Sequence, residues 1–126
     1  MDSALVLVAE DDPDLRDLLQ MTLENQGLRV ETVADGNAVV PACLEHRPDL
    51  LLLDLNLAGR HGVDVVRALR AEELLATLPV LVVTGLTREG GVDEALASGA
   101  TDWLPKPFTP SELVLRVTLL LSQVST

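Results

Sequence analysis

The stretch Asp49-Leu50-Leu51-Leu52-Leu53-Asp54 decides the fold. Four consecutive leucines end in a carboxylate, with Pro48 before them and Gly59 and Gly62 after. Periodicity alone does not separate a buried strand from a buried helix, but so short and so punctuated a run favours a strand covered on both faces. Asp54 then stands where the strand leaves the sheet, the carboxyl edge at which ligands gather in open α/β folds.

Two further runs share this character. Ala4–Ala9 is apolar throughout and ends in Glu10-Asp11-Asp12, and Val80–Thr84 follows Pro79. Arg29–Val33 alternates polar and apolar residues, as an edge strand does, and Thr101–Leu104 is short, mixed and cut off by Pro105-Lys106-Pro107. Helical patterns separate them. Pro13 opens the first, with Leu15, Leu18, Leu19, Met21, Thr22 and Leu23 as its stripe and Gly27 as its stop. Asp35-Gly36-Asn37 opens a second, running to about Glu45, in which Pro41 forces a late start or a kink. Val63, Val66, Ala68, Leu69, Leu74 and Leu75 mark a third, Asp93–Ser98 a short fourth, and Gly90-Gly91 a flexible loop before it. Thr109 or Ser111 caps the fifth, with Leu113, Val114, Val117, Leu120 and Leu121 inward and Leu115 and Leu119 left outside.

Every strand-to-strand connection contains a helix, so the sheet is expected to be parallel with right-handed crossovers. Placing the three apolar strands centrally and the two mixed ones at the edges gives a doubly wound, five-stranded α/β sheet of order 2-1-3-4-5. A chain of 126 residues fits a single domain spanning 1–126.

Composition narrows the function classes. The net charge of −11 argues against direct nucleic-acid binding and against an anionic membrane surface, while suiting a divalent cation or a basic partner. Cys43 is the lone cysteine and reads as a small buried apolar residue, which points to a reducing, cytoplasmic setting. The N-terminus is unlike a signal peptide, and the apolar run Leu113–Leu121, broken by Arg116, is too short to span a bilayer.

The topology brings Glu10, Asp11 and Asp12, Asp54, Thr84 and Lys106 to one edge. Crowded carboxylates call for a cation, and an oxygen-rich site of one or two carboxylates suits Mg²⁺. Lys106 adds a fixed positive charge and Thr84 a hydroxyl. A carboxylate so surrounded can be the nucleophile of phosphoryl transfer, giving an acyl phosphate.

Val8-Ala9-Glu10-Asp11-Asp12-Pro13, Leu51-Leu52-Leu53-Asp54-Leu55, Val82-Val83-Thr84-Gly85, Gly99-Ala100-Thr101-Asp102-Trp103-Leu104 and Lys106-Pro107-Phe108 resemble the receiver (response-regulator) domain of two-component signalling, over essentially the whole chain. The resemblance implies a CheY-like, flavodoxin-like (βα)5 three-layer sandwich. It implies that Asp54 accepts a phosphoryl group from a sensor histidine kinase or phosphotransfer protein, with help from Mg²⁺ or Mn²⁺. Glu10 and Asp11 become the metal-site acids, Asp11 the direct ligand, with Asp54 and the Asn56 backbone carbonyl completing the set. Asp12 is left as charge at a helix N-terminus. Thr84 and Lys106 hold phosphoryl oxygens, the bond before Pro107 is cis, and Thr84 with Trp103 forms the switch that reshapes the face of the fourth helix, fifth strand and fifth helix toward an effector. The same resemblance makes the domain a signalling phosphoacceptor that assists its own phosphorylation and dephosphorylation, not an enzyme in the ordinary sense, and leaves room for a homodimer.

Some positions depart from the family pattern. Ala58 replaces the usual Pro, and His61, read as a surface residue, replaces an acid or Asn before Gly62, so the loop after Asp54 is expected to be more mobile. Trp103 replaces a Tyr or Phe and needs more room to turn. Asn56 and Leu86 flank the expected path of the hydrolytic water. The main alternative is a receiver-like interaction domain that works without phosphorylation. A haloacid-dehalogenase-type phosphatase is disfavoured because its second Asp would fall at Asn56. Whether the domain stands alone or belongs to a longer regulator or hybrid kinase stays open at this level.

Overall fold

The structure, a computed structural model, describes residues 3–85 and 91–124. In chain order it contains β1 (Leu5–Ala9), α1 (Pro13–Glu24), β2 (Arg29–Val33), α2 (Val39–His46), β3 (Leu50–Asp54), α3 (Gly62–Ala71), β4 (Val80–Thr84), α4 (Asp93–Ala97), β5 (Asp102–Pro105) and α5 (Pro110–Val124). All pairings are parallel, in the order β2-β1-β3-β4-β5. The leucine run is the middle strand. Leu52 lies between Val8 of β1 and Leu81 of β4, and Leu50–Leu53 are 1% exposed or less.

Side chains alternate across the strands, so the sheet carries two cores. Leu7, Leu51, Leu53, Val80 and Val82 pack with α2, α3 and α4 on one face. Val6, Val8, Leu50, Leu52, Leu81 and Val83 pack with α1 and α5 on the other. β2 alternates in exposure, as befits an edge.

The helix starts follow from their local chemistry. Asp12 precedes α1 and its carboxylate accepts the Asp14 N–H at 3.0 Å, so Asp12 is a cap rather than a site acid. Thr109, and not Ser111, caps α5. Its Oγ1 accepts the Glu112 N–H at 3.1 Å while the Glu112 carboxylate accepts the Thr109 N–H at 3.2 Å, a reciprocal box. α2 starts late, after a 3-10 turn over Gly36–Ala38, and Pro41 sits within its first turn, where no N–H is needed.

Three elements differ from what the sequence pattern predicts. The third helix does not run through Leu74 and Leu75. The chain turns extended at Glu72 (φ −86°, ψ 121°), and both leucines lie on a separate 3-10 turn, where Leu75 is buried and Leu74 is 63% exposed. Arg70 stabilises that break by donating from Nη1 to the Leu75 carbonyl at 2.9 Å. In α1, Leu19 and Leu23 are buried but Leu18 and Met21 face outward, because residues so crowded along a helix cannot share one stripe. β5 is shifted by one residue, running into Pro105. Gly90 of the expected flexible loop lies outside the described residues.

Deleting buried methylenes leaves a cavity that this tightly layered sheet cannot close. Leu53→Ala is therefore expected to lower the unfolding free energy by about 2–5 kcal/mol in urea titrations. Leu115→Ala, on the exposed side of α5, is expected to stay within about 0.5 kcal/mol.

Candidate functional site

Continuing the strand alternation places the groups at the carboxyl edge. Glu10 follows Ala9, Asp54 ends β3 and Lys106 follows Pro105, and all three fall on the α1–α5 side with Val8, Leu52 and Leu104. Thr84 and Trp103 fall on the opposite side, with Val82 and the α2–α4 core. β1 and β3 are adjacent, so Glu10 and Asp54 are forced together.

The geometry is tight. Lys106 Nζ donates to Asp54 Oδ2 at 3.0 Å and lies 3.6 Å from Glu10 Oε1. The other oxygen of Asp54, Oδ1, accepts the Asn56 N–H at 2.9 Å. Lys106 is anchored by its own N–H on the Thr84 carbonyl at 2.9 Å, and the bond to Pro107 is cis, as the resemblance implied. Glu10 is 2% exposed and Asp54 6%, whereas Asp11 is open to solvent. One oxygen from each of Glu10, Asp11 and Asp54 lies within 4.8 Å of the others.

Three carboxylates against one ammonium leave an excess of negative charge in a partly dry site. Burial pushes the Glu10 carboxyl up to about 7, aided by a hydrogen bond to Asp54 and by that residue's charge, and offset in part by the Asp12 N–H and Lys106. Burial alone would lower the Lys106 ammonium. The hydrogen bond and charge of Asp54, together with Glu10, outweigh it and hold Lys106 above its ordinary range.

The donor set fits a hard divalent cation. It is all oxygen, its two buried acids are fixed, and exposed Asp11 leaves room for the waters that Mg²⁺ retains. No histidine or cysteine joins the cluster among the described residues, which disfavours a zinc-type site.

One contributor was not foreseen. Arg16, in the first turn of α1, donates from Nη1 to the carbonyls of Glu10 at 3.1 Å and Asp11 at 3.5 Å, bracing the acid-bearing loop from behind. A single cation among Asp11, Asp12, Asp14 and Asp17 was the available signal. The other expected residues lie as follows. Thr84 is fully buried and Trp103 half-buried against the α2–α4 core. His61 is exposed, and its Nδ1 accepts the Val63 N–H at 3.3 Å to cap α3. Cys43 is buried, which pushes its thiol up to about 12 and leaves it inert. Leu86 lies outside the described residues.

Fold and site together define a doubly wound α/β domain with an acidic pocket at the ends of β1 and β3. The model of the response regulator receiver domain matches residues 6–118, and the chain belongs to that family. It is 43% identical over 112 residues to the DNA-binding response regulator MtrA of Mycolicibacterium smegmatis, covering 89% of this chain and 48% of that protein. The chain spans about half the length of the curated relatives it matches. Among solved structures, the Vibrio cholerae chemotaxis response regulator CheY4 superposes with a TM-score of 0.89 at 32% identity, over 94% of this chain and 99% of that one. The receiver domain of the sensor histidine kinase PA1611 from Pseudomonas aeruginosa, with a magnesium ion coordinated in its active-site cleft, gives 0.89 at 29% identity, over 96% and 99%.

The raised Glu10 carboxyl has a stability consequence of definite sign. The fold favours the protonated acid, so its contribution is fullest below the ordinary carboxylate range and is lost as pH rises through the raised value. Metal-free protein is expected to lose on the order of 3 kcal/mol of stability between about pH 4.5 and 7. Lys106 stays charged throughout that window and contributes no slope. Urea midpoints measured across the range check this, and Glu10→Gln is expected to flatten the profile.

Proposed function

We propose that residues 1–126 act as one receiver unit in which Asp54 takes a phosphoryl group from the phosphohistidine of a sensor kinase or phosphotransfer protein. The observation that carries this reading is the fixing of both Asp54 oxygens, Oδ1 by the Asn56 N–H and Oδ2 by Lys106, beside two further acids. A nucleophile aimed in this way needs little reorganisation to react.

In the forward step, an Asp54 oxygen forms a bond to phosphorus as the phosphorus–nitrogen bond of the phosphohistidine breaks. The electron pair returns to the imidazole. Lys106 shifts its hydrogen bond toward the incoming phosphoryl oxygens, and the buried Thr84 hydroxyl stands on the other side of the sheet edge to meet another. Glu10, Asp11, Asp54 and the Asn56 carbonyl would hold Mg²⁺ or Mn²⁺, which supplies the charge neutralisation that lets a phosphoryl group approach carboxylates. In the later hydrolytic step, water attacks phosphorus, the bond between phosphorus and the Asp54 oxygen breaks, the electron pair returns to the carboxylate and inorganic phosphate leaves with the protons of that water. Arg16 keeps the two acid-bearing residues in place through both steps.

Thr84 and Trp103 share one face of the sheet, which supports a switch in which the hydroxyl moves toward phosphate and the indole follows. The output face is then α4, β5 and α5. Arg116 already joins α5 to β5, through Asp102 Oδ2 at 3.1 Å and the Trp103 carbonyl at 2.8 Å, so motion of Trp103 is felt by α5. The effector reached through that face is proposed to be DNA-binding, as the MtrA relatives are named. The net charge of −11 makes the receiver itself a poor nucleic-acid ligand. A cytoplasmic setting fits the lone, buried Cys43.

Acetyl phosphate with Mg²⁺ is expected to add one phosphoryl group per chain, read by intact mass. Chelation should abolish the gain, Asp54→Asn should show none, and Lys106→Ala should slow it by about 100-fold. An equal gain on Asp54→Asn overturns the assignment. Beryllofluoride with Mg²⁺ is expected to change the fluorescence of Trp103, the sole tryptophan, and Thr84→Ala should remove that change.

A further inference from the structure

We infer that Asn37 is a positioning residue for the phosphorylation site: its side-chain amide clamps the loop after β3 and so keeps the Asn56 N–H on Asp54. The inference rests on the reading of Asp54 given above, but the clamp can be tested without it.

The loop from Leu55 to His61 carries Asn56. Its root is secured by burial of Leu55 and Leu57, by the Leu55 N–H on the Val83 carbonyl at 3.3 Å and by the Gly62 N–H on the Leu55 carbonyl at 3.2 Å. Its tip, Ala58 to Arg60, is exposed and contributes nothing to either core. The turn after β2 supplies what holds the tip. The Gly36 N–H donates to the Ala58 carbonyl at 2.7 Å, and Asn37 Nδ2 donates to the Gly59 carbonyl at 3.1 Å. Asn37 is itself steadied, since its N–H donates to Asp35 Oδ1 at 2.7 Å.

The two turns interlock closely enough to exclude side chains. A Cβ on Gly59 (φ +89°) would stand 2.1 Å from Asp35 Oδ1, and one on Gly36 would stand 2.6 Å from the Arg60 carbonyl oxygen. Leu57 alone separates Asn56 from Ala58, so displacement of the tip reaches the Asn56 amide within two residues. The expectation of a loose loop, drawn from Ala58 and His61, therefore meets a restraint supplied from another part of the chain.

The competing role for Asn37 is local, as a helix-start residue in the turn that leads into α2. Asn37→Asp separates the two. Aspartate is favoured near a helix start, yet it replaces the donor with a carboxylate facing the Gly59 carbonyl. A helix-start role makes Asn37→Asp harmless. A clamp makes it worse than Asn37→Ala.

The decisive measurements are amide hydrogen exchange on the metal-free chain and phosphorylation by acetyl phosphate with Mg²⁺, both in about 0.3 M salt to screen the added charge. Exchange at Asn56 is expected to quicken about tenfold in Asn37→Ala and further in Asn37→Asp, with the urea midpoint unmoved. Phosphorylation is expected to slow three- to tenfold in the same order. Unchanged exchange at Asn56 overturns the clamp. Faster exchange with wild-type phosphorylation rates overturns the positioning role. If the wild-type chain takes up no phosphoryl group, the reading of Asp54 fails, whereas the exchange result still decides the clamp.

Discussion

The contact on which the site depends is that of Lys106 with two buried carboxylates. Asp54 and Glu10 end neighbouring strands, and each is almost fully removed from solvent. Two such charges repel strongly and lose hydration, and no apolar packing compensates for that. Lys106 makes the pair tolerable, at 3.0 Å from one and 3.6 Å from the other, while burial and the neighbouring Asp54 still push the Glu10 carboxyl up. The remaining negative charge, with Asp11 at the solvent side, is what would draw the proposed divalent cation.

The strand order makes this arrangement possible. Putting β1 beside β3 brings the acids together, and putting β4 between β3 and β5 makes Lys106 reach back across the end of β4, where the Thr84 carbonyl holds its backbone. Strand alternation then divides the work. The acids and the lysine lie on the α1–α5 side, while Thr84 and Trp103 lie on the α2–α4 side, toward the proposed output. Among the described residues, the loops after β1 and β3 that frame the pocket are each braced from behind, one by Arg16 and one by Asn37.

Much of this was legible in the sequence because the signals were of the right kind. Runs such as Leu50–Leu53 and Val80–Val83 have few ways to be buried, and their contrast with Arg29–Val33 fixes which strands are central. The carboxylates and Lys106 could be read because strand ends are easily located and charge there is conspicuous. The third helix was extended too far because Leu74 and Leu75 fit its period, and the break at Glu72 depends on an Arg70 contact that no local pattern announces. Arg16 and Asn37 were missed for a related reason. Each acts on backbone carbonyls distant in sequence or around a turn, and hydrogen bonds to backbone leave no compositional trace. The loop after Asp54 looks loose in the sequence because the groups that hydrogen-bond its tip, Gly36 and Asn37, lie twenty or so residues earlier.

We propose that the ends of β1 and β3 form a cation site whose negative charge Lys106 only partly balances. Calorimetric titration of the chain with Mg²⁺ tests it most directly. One ion is expected to bind per chain, Asp11→Asn is expected to abolish measurable binding while leaving the fold intact, and Lys106→Met is expected to tighten binding by removing the competing ammonium. Binding that persists unchanged in Asp11→Asn, or that weakens in Lys106→Met, would contradict the account.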